Sequence, residues 1–166
     1  FLHRAEILCA LGKHVLISDY GEFYRLAQYL SGFTSMPIGV ALGVPTLLQV
    51  FDEKYYQDLQ GGILEAFGRL FKNDLRLYVC PSLNPDTGEL TTADNLKVDQ
   101  NLQHLYVHLL GNGHIRELEA VDRDILSIFS HDVLEKIRCG DEGWKAMVPD
   151  TVARLIVEKR LFGCKG

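Results

Sequence analysis

The sequence predicts an α/β fold: an open, mainly parallel sheet with helices on both faces and a C-terminal pair of helices. Three observations predict it. Short apolar runs at Val15-Leu16-Ile17, Ile38 to Leu42 and Leu75 to Val79 are each bounded by turn residues, as in strands buried within a sheet. The stretches between them carry apolar residues at helical spacing, and strands that alternate with helices form parallel sheets. Near the C-terminus Ser130 opens a short helix, Gly140 ends it, and Val148-Pro149 opens a second.

Taken in order, Phe1 to Gly12 places Leu2, Ala5, Leu8 and Cys9 at helical spacing and stops at Gly12-Lys13. Val15 to Ile17 reads as the first strand, and the turn Ser18-Asp19-Tyr20-Gly21 follows. A helix from about Glu22 to Leu30 buries Phe23, Leu26, Ala27 and Leu30. Ile38 to Leu42 is the second strand; Gly43-Val44 turns, and Pro45 takes the first helical position, where its missing N–H costs nothing. After Gly61-Gly62 the cleanest amphipathic helix sets Ile63, Leu64, Ala66, Phe67, Leu70 and Phe71 on one face. Leu75 to Val79 is the third strand. Asn84-Pro85-Asp86-Thr87-Gly88 is a surface turn. A helix near Asp99 to Leu110 buries Leu102, Leu105, Tyr106, Leu109 and Leu110, and His114 to Leu118 offers a fourth strand.

A chain of 166 residues is long enough for one α/β domain with a single core. With 47% hydrophobic and 23% charged residues the composition is that of a globular protein. A net charge of −5 excludes a broad nucleic-acid surface but leaves room for a local phosphate pocket. The scattered Cys9, Cys80, Cys139 and Cys164 form no Cys-x-x-Cys pair and read as buried or incidental thiols of a cytoplasmic protein. No apolar run spans a bilayer, so no membrane partner is expected. The chain starts at Phe1, inside an apparent helix and without Met, which predicts a fragment of a longer protein.

Open parallel sheets bind ligands beyond the carboxyl ends of their strands. Here those ends are Ser18 to Gly21, Gly39 to Gly43 and Cys80-Pro81-Ser82. Ser18, Tyr20, Arg25 and Gly43 are therefore candidates to hold a nucleotide or phosphate. The competing reading makes them ordinary strand-to-helix turns. Neither Gly-x-Gly-x-x-Gly nor a P-loop is present. Ser130 and His131 are the sharpest candidates, because a hydroxyl and free amides at a helix start suit a phosphate. Against this, Ser130 would be only the N-cap, with Asp132 favouring the helix dipole. His104 and His108 have metal-ligand spacing, but they lie opposite the apolar face and have no third ligand, so no metal site is assigned. Asp52-Glu53-Lys54-Tyr55-Tyr56 reads as a capped loop with packed tyrosines, the alternative being a substrate rim. Trp144 beside Met147 is expected to pack the C-terminal helices onto the core.

The segment Ile128-Phe129-Ser130-His131, followed by Gly140, Val148-Pro149 and Leu161-Phe162, resembles the C-terminal end of the nicotinate-nucleotide adenylyltransferases of the nucleotidyltransferase superfamily. The resemblance covers about a quarter of the chain. That family ends on Ile-Ser-Ser-Thr-x-x-Arg, a Gly, a Val-Pro and a closing helix. It implies a Rossmann-like fold, with Ser130 and His131 at the ATP phosphates and adenylyl transfer to nicotinate or nicotinamide mononucleotide with magnesium. Phe129 stands for the family's first serine, His131 for its threonine and Leu134 for its arginine, a fixed bidentate phosphate donor. Lys136 and Arg138 could replace that arginine only with another geometry. The family's His-x-Gly-His motif has no counterpart after Ile17, so no catalytic residue is assigned. Glu22 to Ala27, Phe51 to Tyr56 and Gly61 to Glu65 are also similar to segments in the C-terminal portion of a family of longer bacterial proteins. Those proteins carry inconsistent labels, nucleotide adenylyltransferase among them. Two readings stay open: a nucleotidyltransferase using ATP and magnesium, or a non-catalytic nucleotide-binding or protein-assembly domain. Its partners would be a nucleotide, further domains of the same chain, or a second copy.

Overall fold

The structure, a computed structural model, describes residues 2–119 and 121–164. The fold is mixed α/β with just over half of the residues helical. It divides into two compact units: Ser18–Asp122, and the residues up to Ile17 together with those from Arg123 on.

The first unit is built on a three-stranded parallel sheet, β1 (Gly39–Gly43), β2 (Arg76–Cys80) and β5 (Ile115–Glu117), in the order β1-β2-β5. Gly39 to Gly43 pair in register with Arg76 to Cys80, and Leu77 to Val79 with Ile115 to Glu117. Two of the three predicted strand runs are thus neighbours, and the fourth predicted strand completes the sheet. On β2 Leu77 and Val79 are fully buried while Arg76, Tyr78 and Cys80 are half-buried, the alternation of a sheet with unequal faces. At Gly39 the chain passes close to its neighbour: a Cβ there would lie 3.0 Å from the Tyr78 ring, which would have to shift to admit it.

Val15 to Ile17 is not a strand, contrary to the sequence expectation. The run has no regular structure, Leu16 and Ile17 are exposed, and the boundary between the two units falls just after it. Three apolar residues become a strand only where a neighbouring edge supplies hydrogen bonds. No described strand pairs with these, and β1 is bonded on one side only.

Among the described residues four α-helices belong to this unit: α2 (Phe23–Ser31), α3 (Val44–Val50), α4 (Gly62–Leu70) and α5 (Gln103–Gly111). Pro45 sits in the first turn of α3 but as its second residue, since the helix already begins at Val44. On α4 Ile63, Ala66, Phe67 and Leu70 are buried, but Leu64, counted on the apolar face, is exposed. On α5 Tyr106 and Leu109 are buried, Leu105 and Leu110 half-buried, and His104 and His108 exposed. Asn84 organises the turn between β3 (Ser82–Leu83) and β4 (Leu90–Thr91): its carbonyl oxygen accepts from the amides of Asp86 and Thr87 at 2.9 and 3.2 Å. Asp52 caps a 3-10 turn, Glu53–Tyr56, in which Tyr56 is buried.

Two buried phenols give this core a pH dependence. Tyr56 donates to the Val50 carbonyl at 2.6 Å and Tyr106 to that of Ala93 at 2.5 Å. Burial, with smaller help from the carboxylates of Glu22 and Asp52, pushes Tyr56 up to about 12. Burial, aided by Asp94 and Glu117, does the same to Tyr106, up to about 12. Both folded values lie above the ordinary 10.0, so the unfolded chain loses these protons first as pH rises. Their stabilisation is complete below pH ~10 and is lost as pH climbs through about 12. Urea midpoints should fall across that window, and Tyr56→Phe with Tyr106→Phe should flatten the fall.

The second unit holds α1 (Leu2–Ala10), α6 (Ser130–Cys139) and α7 (Asp150–Glu158). Phe1, the predicted start of the first helix, lies outside the described residues. The apolar face expected on α1 is not buried: Leu2 and Leu8 are exposed, and only Ile7 packs against the unit's core. A Glu6–Lys159 ion pair and an edge-on contact of His3 with Phe162 at 6.0 Å join α1 to the end of α7. The core comprises Val133, Ile137, Trp144, Val152, Ile156 and Leu161. Trp144 therefore packs within a helical core of its own rather than in the sheet core. Gly140, at φ 82°, supplies the left-handed turn that ends α6, and Asp141 then accepts from the Gly143 amide at 2.8 Å to begin the next turn.

Candidate functional site

Among the described strands no reversal of strand order marks a crevice at the strand ends. In open sheets it opens where the strand order reverses. The order β1-β2-β5 runs in one direction, and Val15 to Ile17, expected as a further strand, is a connector. The end of β5 is also tied to the chain after β4: the Ala93 amide donates to the Glu117 carboxylate at 3.2 Å, and Ala93 itself is fully buried.

The candidates of the sheet unit do not converge on one hollow. Ser18 is exposed on the connector, and Tyr20 packs its ring against Tyr29 at 5.4 Å. Arg25 is already engaged, its Nε donating to the Tyr24 hydroxyl at 3.0 Å and facing Glu22 at 3.2 Å. These two partners, the hydrogen bond first, hold its guanidinium above its ordinary value. Gly43 is the N-cap of α3, a helix of only 7 residues.

Ser130 and His131 lie in the other unit, at the start of α6. The cap itself is Phe129, whose side chain has no polar atom; Ser130 is the first helical residue, not the cap. The first bond back along this helix is from the Val133 amide to the Phe129 carbonyl at 3.2 Å. The amides of Ser130, His131 and Asp132 precede it, and no side chain caps them. His131 is exposed, stacked on Phe129 at 5.6 Å and 3.0 Å from the Asp132 carboxylate.

Beside Ser130 opens a cavity of about 310 Å³, lined from within the helical unit alone. Of the twelve described residues lining it, ten are apolar, among them Val133, Leu134, Ile156 and Phe162; the other two are Ser130 and Arg4. Leu134, at the position where the resemblance expects arginine, thus faces apolar space. Lys136 does not compensate, because it is bound to Asp141, which holds its ammonium above the ordinary value. The one basic residue among the described lining of this cavity is Arg4, on α1. Sequence reasoning missed it, since nothing in a lone arginine on an early helix signals proximity to Ser130.

Among the described residues no group of three or more His, Cys, Asp or Glu is placed to hold a metal ion. All four cysteines are free; Cys9 and Cys139 are exposed and Cys80 and Cys164 partly so, where burial had been one expectation. Among the described residues no helix is long and apolar enough to cross a membrane. Comparison with protein families finds no matching model, and comparisons with curated proteins and with solved structures find no similar chain.

Proposed function

We propose that the chain is a nucleotide-binding domain of Rossmann-like ancestry, binding in the cavity beside Ser130 without performing adenylyl transfer through its own side chains. One juxtaposition supports this reading: an apolar cavity whose described lining includes Arg4 and Ser130, and the uncapped amides opening α6. A nucleobase presents flat apolar faces to such a wall, and its phosphate takes charge-assisted hydrogen bonds from a guanidinium, a hydroxyl and helix amides. A volume of about 310 Å³ is at the small end for ligand sites and suits a nucleoside monophosphate better than an extended triphosphate. The catalytic alternative, ATP and magnesium reacting with nicotinate mononucleotide, needs a His-x-Gly-His that residues 1–166 do not contain.

Calorimetric titration of AMP and ATP into wild type, Ser130→Ala and Arg4→Gln tests the proposal. Ser130 makes no capping bond, so alanine should leave the melting temperature unchanged. A lost hydrogen bond to a charged phosphate is worth about 1.5–3 kcal/mol, or roughly tenfold to a hundredfold in affinity. Arg4→Gln should weaken AMP at least as much. Absent AMP binding in the wild type, or equal affinities in all three proteins, would overturn the reading.

A further inference from the structure

We propose that the hollow between the end of α2 and the turn preceding β2, wholly within the sheet unit, is a saccharide-binding site for one or two neutral pyranose rings. It is an open hollow of about 660 Å³, a volume within the range of small-molecule sites. Its polar lining is made of Ser31, Thr34, Ser35, Asn73 and Asp74, and Phe33 stands at its edge.

The hydroxyls keep spare hydrogen-bonding capacity of both kinds. Thr34 Oγ1 accepts from the Met36 amide at 3.0 Å, leaving its proton to donate. Ser31 Oγ donates to the Ala27 carbonyl at 2.8 Å, leaving its lone pairs to accept. Asn73 adds a donor and an acceptor in one side chain. A sugar ring carries hydroxyls that need both roles side by side.

Phe33 supplies the other half of sugar chemistry, an apolar plane for the ring's C–H face. It is 75% exposed, and the ring is braced at 4.9 Å by Tyr29. Among the described residues Asp74 is the only charged one lining this hollow, and its carboxylate is held by the Arg76 guanidinium at 3.0 and 3.1 Å, so the hollow itself presents no unpaired charge to a ligand. Asn73 and Asp74 both sit in the left-handed region, at φ 60° and 57°. Consecutive non-glycine residues in that conformation are strained, and such strain gathers at ligand sites. A smaller hollow of about 290 Å³ shares Ser31, Gly32 and Asn73 and adds Gln28, Lys72 and Arg69, the last already paired with Glu65, giving space for a second ring.

The test is ligand-observed NMR and calorimetry on the full chain with cellobiose, maltose and N-acetylglucosamine, with inorganic phosphate as the ionic comparison. At least one saccharide should bind saturably. Phe33→Ala and Asn73→Gly should each weaken it by roughly tenfold. Phe33→Ala should leave the melting temperature unchanged because the ring is exposed. Asn73→Gly should hold or raise it, because glycine accepts the left-handed backbone. Saturation by none of the three sugars, undiminished affinity in both variants, or displacement of the sugar by phosphate would overturn the proposal. The site shares no residue with the Ser130 cavity, so neither result bears on the other.

Discussion

Phe67→Ala is expected to destabilise the sheet unit by about 3–5 kcal/mol, the cost of emptying a fully buried aromatic site. Phe67 is 4% exposed and stands at the centre of an aromatic cluster, edge-on to Phe51 at 5.0 Å, Phe71 at 5.8 Å and Tyr56 at 6.2 Å. Such edge-on pairs add about 0.5–1.5 kcal/mol beyond the area they bury. Ala66 and Leu70 beside it are equally enclosed, so the wall cannot collapse cheaply into the gap. Phe67→Leu, which keeps most of the volume, should lose distinctly less. Urea denaturation measures both, and a loss below ~1 kcal/mol for alanine would place this face of α4 outside the core.

Trp144→Ala should have a comparable effect on the helical unit, about 3–5 kcal/mol. Trp144 is the chain's single tryptophan, is 2% exposed, and belongs with Val133, Ile137, Val152, Ile156 and Leu161 to the helical core. The segment that carries it, Glu142–Met147, is a 3-10 turn between α6 and α7. Removing the indole therefore strips both helices of a shared neighbour. Hydrogen exchange should show it directly: amide exchange in α6 and α7 should accelerate by about a hundredfold or more. Exchange in those helices unchanged from wild type would mean that Trp144 does not hold them together.

The helices were legible because each carries its own evidence. The apolar spacing on α4, Pro45 in the first turn of α3 and Gly140 closing α6 are local signals, and the structure keeps all three elements, with Leu64 exposed and Val44 the first residue of α3. Strands β1 and β2 were equally legible, each an apolar run bounded by turn residues. Val15 to Ile17 carried the same signal and misled, because strand formation depends on a partner edge that a sequence window does not contain. The face of α1 misled for a related reason: helical spacing marks which side is apolar, not whether anything covers it.

The candidate site divides along the same line. The sequence determined that α6 begins at Ser130, that Leu134 stands where a phosphate-binding arginine was expected, and that no His-x-Gly-His is present in residues 1–166. Only tertiary structure decided that Leu134 faces an apolar cavity, that Arg25 and Lys136 are already bound to carboxylates, and that Arg4 and Ser130 line the same cavity. It also decided that Ser31, Thr34, Asn73 and Phe33 line one hollow. Propensity, capping and periodicity are properties of neighbours in the chain, so the sequence holds them outright. A binding site is a meeting of residues far apart in the chain, and burial of the two cores, not any local pattern, sets which of them meet.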